Sequence, residues 1–560
     1  MQLAAKYHVS VMQKTFYITT PLYYVNASPH IGHSYTNVAA DCLARYHRLK
    51  GEPVFLLTGT DEHGQKIEQA AAASGVSPQA YADEVVGHFR ALWELLNVSY
   101  DDFIRTTEPR HTTAVQQILT RLYQQGKLTQ AAYQGWYCTP DETFWTEAEL
   151  ASAGNASRAG DSAQSGSGTL QGAGQARVPL CPSCQRPLEP VKEDGWYLEL
   201  RAAQPWLRNF VKTHPTFIQP SSRYNELLGM LEQPLPEHLC ITRPRSRVSW
   251  GISVPFSTDH VTYVWFDALL NYITAPGYIG DLERFARLWP AEVHFIGKDI
   301  LKHHAIYWPI ILHAIGFTDE QMPKLVFAHG WWKIGEQKMS KSLGNIVDPS
   351  VVVRQLLKGQ PYAADVYRYF LLREVPFGQD GSFSEEAIFT RFQVDLANDL
   401  GNLVNRTLSM IDRYFGGKIP HYGAGAREED YRSLEQSATK LYDTIDPMMS
   451  RCEFSKALET VMQVISEANR YIEVKMPWKL AKEDPKRLET VLHVLAEVLR
   501  IVAIVLEPFM PSVASAIWEQ LGCAEHPRRL QDAARWPWLT ANQPIGAHPI
   551  LFPRSDTAKK

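Results

Sequence analysis

Two imidazoles stand three residues apart in the stretch PLYYVNASPHIGHSYTNVAAD: His30 and His33, with Gly32 between them. These residue types at a turn suit phosphate. A helix N-terminus presents N–H groups and a partial positive charge. Glycine lets a base or phosphate approach the backbone, and two imidazoles can donate hydrogen bonds to phosphate oxygens as charge builds. Far downstream, KIGEQKMSKSLGN carries Lys338 and Lys341 on a Gly/Ser loop after a hairpin-like turn at Gly335-Glu336. Such a Lys-x-x-Lys pair reaches a polyphosphate and neutralises a leaving pyrophosphate. Each stretch alone also reads as a polar turn or a solvated basic loop; the two together favour chemistry.

The elements around these residues must bring them together. TFYITTPLYY, residues 15–24, is β-branched and aromatic, which predicts a buried strand. In the following run Val38, Cys42, Tyr46 and Leu49 fall on one helical face, and Gly51 suits the C-terminal cap. PVFLLTGTD, ending at Asp61, reads as a second strand. Strand, turn, helix and strand make a βαβ unit, so a Rossmann-like, doubly wound parallel α/β sheet is expected, with ligands at the carboxyl ends of its strands.

Strand–helix alternation is interrupted over 123–248, which reads as an irregular insertion rich in Trp, Pro and Cys. Within it, 151–177 is low-complexity Ala/Gly/Ser and predicts a disordered loop. The expected organisation is an N-terminal extension (1–14), a first half of the sheet domain (15–122), the insertion, a second half (249–335), a lysine-loop region (336–383), a helical bundle (384–545) and a tail (546–560). The apolar run from Leu488 to Leu506 repeats at helical spacing and is broken by His493, Glu497 and Arg500, so it predicts a core helix and no membrane span.

At 560 residues the chain predicts three or four domains. A net charge of −4 gives no global basic footprint, so any nucleic-acid partner must be held by local patches. Seven cysteines in this length read as reduced thiols, and the first residues carry no signal-peptide pattern, so a cytoplasmic protein is expected.

The histidine and lysine motifs, taken as a pair, resemble the signatures of class I aminoacyl-tRNA synthetases. TTPLYYVNASPHIGHSY, LLTGTDEHGQKI, TYVWFDALLNY, HFIGKDILKHHAIYWP and KMSKSLGN, in this order, resemble the methionyl-tRNA synthetase family over roughly residues 15–545. The resemblance implies ATP-dependent activation of L-methionine to methionyl-adenylate and its transfer to the 2′-OH of the terminal adenosine of tRNA(Met), for initiation and elongation. It implies that His30, His33, Lys338 and Lys341 act on the phosphates, and that Gly32, Gly297 and Asp299 help to hold ATP, which arrives with Mg2+. Leu22, Tyr24, Asp61, Trp265, Ala268, Leu269, Tyr272, Ile300, His304, Tyr307 and Trp308 correspond to methionine-binding positions, with Asp61 on the ammonium. At α-helical spacing the last four share one face. An apolar, aromatic pocket is what a long thioether without strong hydrogen-bonding groups requires. Arg243 resembles a phosphate- or substrate-facing arginine, and also reads as a surface charge.

In the helical part, Asn402, Arg406 and Trp478 resemble the family's readers of the methionine anticodon, and the bundle an anticodon-binding domain; indole stacking with Arg and Asn contacts suits unstacked RNA bases. Zinc-bearing members carry two Cys pairs. Here Cys181 and Cys184 form one pair, and Cys138 is followed by Asp141 where a second Cys would stand. Three thiolates and a carboxylate fit a tetrahedral Zn2+ site; a metal-free turn fits equally. A monomer is expected. Two alternatives remain: a synthetase for cysteine, leucine or isoleucine, and a non-catalytic RNA-binding relative.

Overall fold

The computed structural model describes residues 14–553 apart from 141, 146, 148–149, 151–177, 183, 336, 339–345 and 424–430. The expected loop 151–177, nearly all of the N-terminal extension, Asp141 and Lys341 therefore lie outside the described residues. Strand β1 (Phe16–Thr19) alternates its side chains between two cores: Tyr17 packs into one and Ile18 into the other. Past Pro21 the chain returns as β2 (Tyr23–Tyr24), then forms the helix Ile31–Leu49. Strand β3 (Val54–Asp61) lies parallel to β1, to β2, where Tyr24 pairs with Asp61, and to β4 (Asp102–Arg105).

The segment expected to be irregular is instead a four-stranded antiparallel sheet. Strands β5 (Leu128–Cys138) and β7 (Glu189–Glu199) pair over ten positions, with β6 (Thr143–Trp145) against β5 and a later strand against β7. The pattern is hidden in the sequence because inward positions of β7 are filled by Glu193 and Gly195. The Glu193 carboxylate is compensated by Arg243, whose Nε and Nη2 donate to it at 2.8 and 2.9 Å. The expected boundary at 248 also shifts: β8 (Ile218–Gln219) returns to the main sheet before the chain completes the insertion with β9 (His238–Cys240).

After the small ribbon of β10 (Thr242–Pro244) and β11 (His260–Thr262), the helix Val264–Thr274 leads back to the sheet. Strands β12 (Val293–Gly297) and β13 (Val326–His329) complete a seven-stranded parallel sheet in which β1 lies between β3 and β12. The chain winds outward in opposite directions from β1 and β12, which creates a crevice at their carboxyl ends. A hairpin of β14 (Trp332–Ile334) and β15 (Gln337–Lys338) follows, turned by Gly335 at φ +58°.

Helices dominate from Glu385 onward. The helix Pro485–Leu506 is buried at nearly every position from Leu488, which explains its apolar composition all round. Among the described residues no helix is long and apolar enough to cross a membrane. The bundle is joined to the sheet domain by a buried pair. Arg368 contacts Asp41 at 2.7 Å and donates to the carbonyls of Pro508 and Phe509.

Candidate active site

The crevice holds a cavity of about 300 Å3 whose walls come from the carboxyl ends of β1, β3, β12 and β13. One end is polar. His30 caps the helix Ile31–Leu49: its Nδ1 accepts from Gly32 N–H at 3.1 Å, while His33 Nδ1 accepts from His30 N–H at 3.1 Å. In each neutral ring the proton therefore sits on Nε2, the donor a phosphate needs. The rings stack at 3.9 Å between centroids. A Cβ on residue 32 would lie 2.9 Å from His30 Cε1, so only glycine leaves room for the folded-over ring.

The same turn meets the chain downstream of the lysine loop. Ile31 N–H donates to Val347 O at 3.1 Å. Thr36 Oγ1 lies 2.7 Å from His329 Nε2 at the end of β13. Lys338, which ends β15, and Val347, bonded to the first turn of the histidine helix, are thus described on either side of 339–345. Lys338 is described as a strand position and Lys341 is not described. Gly297 and Asp299 also line this end, where Trp331 Nε1 donates to Asp299 Oδ1 at 3.0 Å.

The other end is apolar and aromatic, with Leu22, Tyr24, Trp265, Ala268, Leu269, Tyr272, Ile300 and His304 around one carboxylate, Asp61. Asp61 is buried, and its Oδ1 has no hydrogen-bond partner. Burial, with the charges of Asp267, Glu142 and Glu62 nearby, pushes its carboxyl well above the usual carboxylate range. A cation entering here would pair with the orphaned oxygen. At the far wall His304 is held neutral, its pKa lowered to about 4 by burial. Its Nδ1 lies 3.0 Å from Ile300 O, an acceptor only, so Nδ1 carries the proton and Nε2 accepts from Tyr272 OH at 2.8 Å. The Tyr272 oxygen then presents lone pairs and no proton to the cavity. Asp267 ties this wall to β3: fully buried, it pairs with His63 Nδ1 and His111 Nε2, both at 2.6 Å.

Three expected positions lie elsewhere. Tyr307 lines a smaller neighbouring hollow, and Trp308 is in the core behind Tyr272, its Nε1 3.4 Å from His294 Nε2. The α-helical spacing used for these residues fails because His303–Tyr307 is a π-helical turn, which rotates the positions after His304 away from the cavity. Arg243 does not face the cavity either. It is buried on Glu193 and its guanidinium lies 4.3 Å from the Tyr137 ring, so its role is to brace the insertion. Lining residues not anticipated include Thr36, Asn271, His329 and Trp331.

Away from the cavity, Cys138, Cys181 and Cys184 bring their sulfurs within 4.8 Å of one another. The turn is shaped by Gln185 at φ +60°, whose N–H donates to Cys181 O at 2.8 Å. Three convergent thiols in a small apolar cluster fit a soft cation. On the bundle, the Arg406 guanidinium lies 5.9 Å from the ring of Trp478, which is 40% exposed. Asn402 is exposed one helical turn before Arg406.

A parallel sheet with this cavity at its switch point, followed by a helical bundle, defines a class I tRNA synthetase. Residues 16–408 match the family described as tRNA synthetases class I (M), and 432–544 match the anticodon-binding domain of tRNA ligase. The chain belongs, within that class, to the methionine–tRNA ligase family. It is 45% identical over 552 residues to the Methionine--tRNA ligase of Caldanaerobacter subterraneus, covering 98% of this chain and 80% of that one. The Bacillus subtilis Methionine--tRNA ligase is 42% identical, with 98% of this chain and 79% of that one covered. The solved Mycobacterium tuberculosis methionyl-tRNA synthetase in complex with methionyl-adenylate superposes with a TM-score of 0.86 at 38% identity, covering 97% of this chain and all of that one.

Proposed function

We propose that this chain activates L-methionine with Mg-ATP and transfers the methionyl group to the terminal adenosine of tRNA(Met). The observation that carries the reading is the unpartnered Asp61 Oδ1 at the apolar end of a cavity whose other end is the His30–His33 helix cap. An amino acid bound with its ammonium on Asp61 and its side chain against Trp265 and Tyr272 presents its carboxylate toward the histidines.

In the first step a carboxylate oxygen attacks the α-phosphorus; that P–O bond forms as the bond to the bridging oxygen breaks, and pyrophosphate leaves with the electron pair. No general base is needed, because the carboxylate is already ionised. Catalysis is positioning plus charge stabilisation by His30, His33, Lys338 and Lys341. In the second step a ribose hydroxyl of the terminal adenosine attacks the carbonyl carbon, AMP leaves, and the hydroxyl proton is released. Magnesium travels with ATP and neutralises its phosphates. The protons of Tyr272 and the neutral His304 are spent on His304 and Ile300 O, so the two rings offer the thioether end uncharged aromatic surface. The test is ATP–pyrophosphate exchange with a panel of amino acids: methionine alone should support rapid exchange, and equal exchange with leucine, isoleucine or cysteine would overturn the reading.

Trp478, Arg406 and Asn402 read the anticodon in this proposal, and residues 384–545 serve as the unit that carries them. Base stacking on an indole contributes about 1–3 kcal/mol per base. Trp478→Ala should therefore raise the KM for tRNA ~10-fold or more while methionine-dependent exchange is unchanged; a fall in exchange would place Trp478 in the core instead.

Cys138, Cys181 and Cys184 hold zinc in this proposal, with Asp141 as the fourth ligand. A cation bound there would tie Cys138, at the end of β5, to Cys181 and Cys184. Metal analysis should find zinc bound to the purified wild type and lost from Cys181→Ser; a metal-free wild type would make the cluster a plain turn.

A further inference from the structure

Glu142 lies in the insertion, far in sequence from the cavity walls, and yet it is buried. Its backbone sits in the left-handed region, at φ +46°, which costs a non-glycine residue energy and persists only where the surroundings over-determine it. Those surroundings are three elements of the amino-acid end. Tyr24 OH, next to β3, donates to Glu142 Oε2 at 3.0 Å. Lys66 N–H, in the first turn of the helix Gln65–Ser74 after β3, donates to Oε1 at 3.0 Å. Tyr263 OH, at the residue that caps the helix Val264–Thr274, donates to the Glu142 carbonyl. The fit is tight: a Cβ on Gly64 would lie 2.6 Å from a Glu142 carboxylate oxygen.

Tyr24 lines the cavity and stands in register with Asp61. We propose that Glu142 is a positioning residue for amino-acid recognition: its carboxylate fixes the Tyr24 phenol beside Asp61, so that capture of the substrate ammonium depends on the insertion. This rests on the methionine-activating reading above. The physical logic is that of a shared clamp. Tyr24, the first turn of the helix after β3 and the start of the helix bearing Trp265 carry the carboxylate partner and one aromatic wall; Glu142 holds the first two through its side chain and the third through its backbone carbonyl.

The test is methionine-dependent ATP–pyrophosphate exchange by the full chain, with methionine and ATP varied separately. Glu142→Ala should raise the KM for methionine roughly tenfold and leave the KM for ATP within about twofold. Tyr24→Phe should raise it similarly, and Tyr24→Phe combined with Glu142→Ala should raise it no further. Tyr24→Phe, which removes the phenol hydroxyl and leaves Glu142 in place, serves if Glu142→Ala does not fold. Glu142→Gln, which keeps one acceptor for the two donors Tyr24 OH and Lys66 N–H, should recover part of the loss. A wild-type methionine KM in folded Glu142→Ala, multiplying effects in the double variant, or an equal rise in both substrate KM values would overturn the inference. Wild-type protein lacking any methionine-dependent exchange would overturn the functional reading itself.

Discussion

His33→Ala is expected to slow methionine-dependent ATP–pyrophosphate exchange ~10²–10³-fold, the usual cost of losing one pre-aimed donor to developing charge. The geometry sharpens this expectation. His33 does two things at once: its Nδ1 takes the His30 N–H, and its ring stacks on that of His30. Removing it loses a phosphate donor and also frees the second imidazole from its fixed orientation. His30→Ala should cost as much, because it removes the helix cap along with the ring, and the double variant should fall well short of the product of the two effects. Lys341→Ala should slow the same step strongly. Neither His30 nor His33 stands at the Asp61 end of the cavity, so methionine binding by both histidine variants, measured by calorimetry, should persist. Loss of methionine binding in His33→Ala would mean that the turn supports the whole cavity and not its phosphate end.

Asp61→Asn is expected to act on the other substrate. Truncating or neutralising one member of a buried charge pair costs about 2–5 kcal/mol, so the KM for methionine should rise ~10²-fold or more with the KM for ATP little changed. The pH dependence follows from the same group. Burial and the nearby carboxylates raise the Asp61 pKa, so without ligand the acid form persists above the usual carboxylate range. An ammonium binds the ionised form. Affinity for methionine should therefore climb as pH rises through the raised pKa, and proton release should accompany binding below it. Titrations in buffers of different ionisation enthalpy measure that release directly. A flat profile together with wild-type binding by Asp61→Asn would remove Asp61 from the site.

Some of this was legible in the sequence, and the reasons differ by residue. The β1–helix–β3 unit announced itself through period and caps, and His30, Gly32 and His33 fall at its turn as expected. Asp61 was readable as the last residue of a strand. Local pattern failed where a partner far along the chain decides the conformation. Glu142 lies 118 residues from Tyr24, and Asp267 lies 204 from His63, so neither pairing leaves a mark in any short window. The antiparallel sheet of the insertion was missed because Glu193, an inward residue, is charged and only its pairing with Arg243 makes burial possible. That same pairing moved Arg243 from a substrate contact to a brace. Tyr307 and Trp308 were misplaced by assuming 3.6 residues per turn across a π-helical turn.

The joint occupancy of one cavity by the amino acid and the nucleotide is open to a single decisive observation: a crystal structure of this chain with a sulfamoyl analogue of methionyl-adenylate. The ammonium should sit on Asp61 Oδ1, the thioether against Tyr272 and His304, and the sulfamate within hydrogen-bonding reach of the His30 and His33 imidazoles. An analogue bound with its ammonium away from Asp61, or with its sulfamate out of reach of both histidines, would contradict it.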